Sequence, residues 1–214
     1  GILEKAWGPE VKVLPLCCAA GDLSPHPMID KIAGFEGTRW GRQNALDMGG
    51  WVAENILSHQ GKAFRTYGAG AEHGQAAITL DFPVWGVSQA EYDEAVKYLN
   101  DKSNYNDDDS PKDTFAHANA WRRRKRVQDG IEIFPAKVFA TRIGDIVFFS
   151  APFELYIEYA DRIRAALPKQ VVFDVQLAYD CLGYLATPAA VKGGHYSANI
   201  FNGVCSPEGG EFFV

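Results

Sequence analysis

The stretch IEIFPAKVFATRIGDIVFFSAPFE, residues 131–154, decides the fold. Ile131 to Thr141 is rich in β-branched and aromatic side chains, and Ile146 to Ser150 is almost wholly apolar. Both read as strands. Arg142-Ile143-Gly144-Asp145 lies between them and carries the residues of a tight turn, so the spacing predicts a β-hairpin. Pro152-Phe153-Glu154 then opens a predicted helix to about Leu167, and Val171 to Leu177 predicts a further strand. A hairpin followed by strand–helix–strand points to an α/β (or α+β) chain with a mixed sheet flanked by helices.

Upstream of that stretch the same logic continues. Ala76 to Trp85 is strand-like. Ser88-Gln89-Ala90-Glu91 has the form of a capping box and opens a helix through Leu99. Residues 100–112 are rich in Asn and Asp and read as a surface loop. Asp113 caps a helix to about Val127, which Gly130 closes. Residues 39–60 predict another helix, with Ala45, Leu46, Trp51, Val52, Ile56 and Leu57 on its buried face and Gly49-Gly50 weakening its middle. Val11 to Cys18 reads as a buried strand that runs into the loop Ala19–Pro27, stiffened by Pro25 and Pro27. Downstream, the Gly-, Pro- and Tyr-rich tail from Ala178 is expected to be irregular.

Composition bounds the class. Of 214 residues, 47% are hydrophobic and 22% charged, enough apolar material for a sizeable core. A net charge of −6 gives no general attraction to nucleic acid, and no nucleic-acid partner is expected. The basic run Arg122–Arg126 follows the acidic Asp107–Asp109; the two read as solvated, mutually compensating surface. No apolar run is long enough to form a transmembrane segment. Cys17, Cys18, Cys181 and Cys205 form neither a disulfide framework nor a zinc ribbon, and are expected as four buried thiols.

Three segments could carry chemistry. In the first, Gly21 permits close backbone approach, Asp22 offers a carboxylate and Ser24 a hydroxyl. Ser24 could serve as nucleophile, oxyanion donor or turn former; without a G-x-S-x-G elbow, composition alone favours the turn. In the second, Glu154 sits at the predicted helix start behind Ala-Pro-Phe. Such a carboxylate either balances the helix dipole or, if buried, holds a partner such as a metal. In the third, Tyr184 and Tyr196 stand twelve positions apart, in Gly183-Tyr184 and Gly194-His195-Tyr196. On their own they read equally as tyrosines packed on loops.

Taken in order, these segments resemble the neutral (non-lysosomal) ceramidase family and its bacterial relatives. Gly21-Asp22-Leu23-Ser24-Pro25 resembles the family's G-D-V-S-P-N active-site loop, with His26 in place of the usual Asn. Gly144-Asp145 followed by Pro152-Phe153-Glu154 resembles the strand and helix start that carry a glutamate zinc ligand. Gly183-Tyr184 and His195-Tyr196 resemble the tyrosine pair and keep its spacing. The likeness runs from about Val11 to the end and is thinnest between 30 and 130. It implies a ceramidase-like catalytic domain acting on a small-molecule lipid or other N-acyl substrate. It implies Zn2+ held by Glu154 and Tyr184, with Ser24, Tyr196 and Asp22 as catalytic groups and Gly21, His26 and His195 beside the substrate. Zinc in such a site activates water and polarises the amide carbonyl.

One departure matters. The family draws two histidine zinc ligands from upstream of the serine loop, and none of the first 20 residues here is His. Residues 1–214 are therefore expected to be the C-terminal portion of a single catalytic domain, its upstream portion supplied by a missing segment or partner chain. His26, His73, His117 and His195 are the imidazoles that could stand in. The alternative is a non-catalytic or degenerate half-domain, marked by a large exposed apolar face. Secretion or a periplasmic location follows from the resemblance alone.

Overall fold

The computed structural model describes residues 1–24, 41–63, 67–68 and 70–214. They fall into two units, each described by itself.

The N-terminal unit holds Gly1–Leu16 and the described part of Ser24–Ala71. It contains the helices α1 (Ile2–Trp7) and α2 (Arg42–Ala63). The Trp7 indole N–H donates to the Gln60 amide oxygen at 2.8 Å and ties the two together. The expected helix is present, yet its apolar face is not core. Ala53 is buried, whereas Leu46, Trp51 and Val52 are more than half exposed. The short α1 has too little apolar surface to cover a 22-residue neighbour.

The larger unit holds Cys17–Leu23 and Glu72–Val214. Its strands are β1 (His73–Pro83), β2 (Ile133–Ile143), β3 (Ile146–Ala151), β4 (Glu154–Leu155), β5 (Val171–Gln176) and β6 (Tyr184–Leu185). Its helices are α3 (Gln89–Asn100), α4 (Thr114–Asp129), α5 (Ile157–Ala166), α6 (Pro188–Lys192) and α7 (Pro207–Phe213). A four-stranded mixed sheet runs β1-β2-β3-β5, antiparallel except for the parallel β3–β5 pair. Helix α5 makes the crossover between those two parallel strands. The α/β class, a mixed sheet flanked by helices, is therefore correct.

Local signals explain most elements. The hairpin turns at Gly144, whose φ of 59° suits a residue without Cβ. The Ser88 hydroxyl accepts from Glu91 N while the Glu91 carboxylate accepts from Ser88 N, and α3 starts on this capping box. Asp113 accepts from Ala116 N at 2.9 Å, and Gly130 ends α4 in the left-handed region at φ 60°.

Alternation places Phe82, Ala136, Val138 and Ala151 on the buried face of the sheet. They meet Phe153, Leu155, Tyr159, Leu185 and Cys205, all essentially inaccessible. Phe82 meets Phe153 edge to face at 4.9 Å. At the centre, the Tyr159 hydroxyl donates to the carbonyls of Ala186 (3.1 Å) and Pro207 (3.3 Å). Gly210 of α7 lies so close that a Cβ there would stand 2.2 Å from the Tyr159 ring.

Several expectations fail. Val11–Cys18 forms no strand: Pro15 lacks an N–H, Leu14 is 80% exposed, and no ladder partner faces the segment. Its end is tied instead by Gln176 N donating to Cys17 O (2.9 Å) and Ala19 N donating to the buried Asp174 carboxylate. Pro152–Phe153 is a bend and Glu154–Leu155 a short strand rather than a helix start, because Phe153 and Leu155 take buried places there and α5 begins only at Ile157. The tail is not wholly irregular. Thr187-Pro188 and Ser206-Pro207 each set proline at the first helical turn and open α6 and α7. Of the cysteines only Cys205 is buried; Cys17, Cys18 and Cys181 are exposed because they lie on irregular segments. The charge runs find local partners rather than one another: Lys102 pairs with Asp109 and Lys125 with Asp129.

Two outcomes follow. A thiol reagent at neutral pH labels Cys17, Cys18 and Cys181 in the folded chain and Cys205 only after denaturation, since burial pushes the Cys205 thiol up to about 12. Tyr159→Phe removes the hydroxyl that bonds the Ala186 and Pro207 carbonyls and lowers stability by about 1–3 kcal/mol in urea unfolding.

Candidate active site

β4 and β6 form a separate two-stranded parallel pair, Glu154 opposite Tyr184 and Leu155 opposite Leu185. Glu154 N donates to Gly183 O at 2.9 Å, and Tyr184 N donates to Asn202 O at 2.9 Å. Leu155 and Leu185 are fully buried. Side chains alternate along a strand, so Glu154 and Tyr184 share the opposite, half-buried face. Glu154 thus reaches Tyr184 from a strand, not from the first turn of a helix.

Glycines allow the surrounding chain to close in. A Cβ on Gly21 would stand 2.4 Å from the Glu154 carbonyl oxygen, and one on Gly183 would stand 2.2 Å from that of Asn202. Gly21 N donates to Leu155 O at 2.9 Å, laying the 21–22 loop along β4. The Asp22 carboxylate accepts from Ile157 N at 3.0 Å and so caps α5.

The electrostatics bind the group together. Burial, then a hydrogen bond from its hydroxyl to Glu154 and the charge of Glu154, push the Tyr184 phenol up to about 12, with smaller contributions from Tyr196 and Tyr156. Tyr196 is 66% exposed, and its ring stacks on Phe115 at 6.1 Å between centroids. The Asn202 side-chain amide donates to the Tyr196 carbonyl at 2.8 Å and fixes its backbone.

A triangle of polar groups lies alongside. The Tyr156 hydroxyl is 2.6 Å from Ser197 Oγ and 3.0 Å from His195 Nδ1, and Ser197 Oγ is 2.9 Å from the same nitrogen. Ser197 also reaches Gly21 O at 3.4 Å. Burial raises the Tyr156 phenol, and the Asp22 charge adds to it, while the Ser197 hydrogen bond works against it. With Nδ1 engaged, His195 has Nε2 left for a further partner.

Of the residues singled out in the sequence, Gly21, Asp22, Glu154, Tyr184, His195 and Tyr196 thus share one neighbourhood of the larger unit. Ser24 is exposed and belongs to the N-terminal unit. His26 lies outside the described residues. His73 opens β1 opposite Ile143, and His117 packs edge-on against Tyr105. Tyr156 and Ser197 escaped the sequence reading, although each stands two residues from a flagged one.

Glu154 and Tyr184 offer two oxygen donors on one face, which suits two positions of a zinc set. Among the described residues no three His, Cys, Asp or Glu side chains form a metal-binding group. A four-ligand zinc set would need two further donors beside this pair.

No protein-family model matches this sequence, no curated protein matches it, and no solved structure matches its fold. No helix among the described residues is long and apolar enough to cross a membrane.

The raised Tyr184 pKa has a definite sign. The folded state favours the neutral phenol, so the stability it lends is full below about pH 10, the usual tyrosine value, and is lost as pH rises toward 12. In an alkaline absorbance titration Tyr184→Phe should remove one late-ionising phenol; an unchanged late phase would contradict the Glu154–Tyr184 bond.

Proposed function

We propose that this chain is part of a ceramidase-like, zinc-dependent amidohydrolase, with the β4–β6 pair as half of its metal site. One observation carries the reading. Three segments flagged for chemistry, around Gly21–Asp22, Glu154 and Tyr184–Tyr196, lie far apart in sequence, yet glycine contacts and the Glu154–Tyr184 pairing gather them at one place.

Each residue then has a task. Glu154 and Tyr184 would hold the cation, and the Tyr184 phenol, hydrogen-bonded to Glu154, would have to give up its proton to do so. A bound zinc supplies Lewis acidity and lowers the pKa of water. Tyr196, exposed and fixed through its backbone by Asn202, donates its phenolic hydrogen to the oxygen of the attacked carbonyl. His195, steadied through Nδ1 by Tyr156 and Ser197, presents Nε2 to the substrate. Asp22 orients the loop by capping α5, and is a positioning residue rather than an acid in the reaction. An N-acyl sphingosine or a related N-acyl amine is the substrate class.

The outer face of the sheet favours a second reading, a half-domain that needs a covering segment. Phe148 stacks on Phe173 at 5.3 Å, and Phe139 packs on Tyr179 at 5.2 Å. Phe173 is 47% and Tyr179 67% exposed. Aromatic surface of this kind belongs under another element.

The test is zinc uptake by competition with a chromophoric chelator, followed by hydrolysis of a fluorogenic N-acyl amide. Glu154→Ala and Tyr184→Phe should each weaken zinc binding about tenfold or more while the thermal transition stays in place. Equal uptake by Glu154→Ala removes the ligand assignment. Zinc uptake without hydrolysis supports the half-domain.

A further inference from the structure

Helix α4 carries Arg122 and Arg126 one turn apart, on the same side. Both line a cavity of about 180 Å³, together with residues 181–183 and 201–204. No acidic side chain lines it among the described residues. Arg126 makes one long bond there, Nη2 donating to Val204 O at 3.3 Å. Arg122 rests its guanidinium over the Trp121 ring at 5.5 Å.

The donors outnumber the acceptors. Arg122 Nε and Arg126 Nε are buried and bond to nothing among the described residues, and so is Trp85 Nε1. The Trp85 nitrogen adjoins the cavity wall, 3.5 Å from where a Cβ on Gly203 would stand. Two partly buried guanidinium groups that repel one another are costly to hold, and the Asp129 charge, which already pairs with Lys125, is the weakest influence on Arg126. Neighbours on the same helix find ordinary surface partners: Lys125 pairs with Asp129, and Arg123 lies near Glu91. Arg123 lines a different cavity, which Glu94 also lines; the cavity at Arg122 and Arg126 has no acidic side chain in its lining among the described residues.

We propose that Arg122 and Arg126 form a binding site for a compact oxyanion, of which inorganic phosphate is the simplest example. A tetrahedral or planar oxyanion accepts from the guanidinium N–H groups that line the cavity, a planar donor set that an ammonium could not match. It neutralises the repulsion between the two arginines. A volume near 180 Å³ admits phosphate, sulfate or a short carboxylate and excludes a bulky ligand. The site backs onto Gly183 and Gly203, which bridge one another across the base of β6, so the anion braces the strand that carries Tyr184. This site stands independently of the amidohydrolase reading.

The experiment is thermal unfolding and calorimetric titration of the whole chain with inorganic phosphate, against chloride at equal ionic strength. Phosphate should bind with a Kd of about 1 mM or tighter and raise Tm by about 3 °C at tenfold excess. Arg122→Gln should weaken binding at least tenfold and keep its Tm in chloride. If that variant fails to fold, Arg122→Lys keeps the charge without the fork and should still bind about tenfold more weakly. Arg123→Gln, one position away, should bind as the parent does. The proposal is overturned if phosphate stabilises no more than chloride. Equal losses in Arg122→Gln and Arg123→Gln also overturn it, since the run would then be a diffuse basic surface.

Discussion

The parallel pairing of Glu154–Leu155 with Tyr184–Leu185 is the contact on which the site depends. It is only two residues long, too short to be stable by itself. Leu155 and Leu185 anchor it in the core beside Tyr159, and the Gly21 and Gly203 backbones close on Glu154 and Tyr184 at distances that no Cβ would permit. The polar face is thereby fixed by apolar packing on the opposite face. The carboxylate and the phenol meet because their neighbours must be buried.

The end of β5 adds the second constraint. The Asp174 carboxylate is almost fully buried and accepts from Ala19 N and from the Arg164 guanidinium. The Gln176 side-chain oxygen accepts from Ala20 N (3.2 Å) and Leu155 N (3.1 Å). One strand end therefore holds both the segment leading to Gly21 and the backbone of β4. A buried charge of this kind is tolerated because each oxygen has a donor. Arg122 and Arg126 present the opposite case, buried Nε donors that meet no acceptor among the described residues.

Much of the larger unit was legible in the sequence where a few adjacent residues decide the outcome. The hairpin at Gly144, the capping box at Ser88, the Asp113 cap and the Gly130 stop all behaved as their chemistry requires. The residues flagged for chemistry were also legible, since Gly21, Glu154, Tyr184 and Tyr196 do cluster in part. Tyr156 and Ser197 were not, because one tyrosine and one serine carry no signal until the chain sets them 2.6 Å apart. Val11–Cys18 was misread for a related reason: apolar β-branched residues favour extended backbone, and only a neighbouring strand makes that a sheet.

The sequence by itself determined the elements, through hydrophobic period, turn glycines and helix caps, which act over a handful of residues. Tertiary structure alone decided that Glu154–Leu155 is a strand, that Glu154 faces Tyr184, and that two arginines of α4 line a cavity. Those outcomes depend on which surfaces compete for burial once the sheet has formed. Burial is set by the whole chain, so no local stretch encodes it.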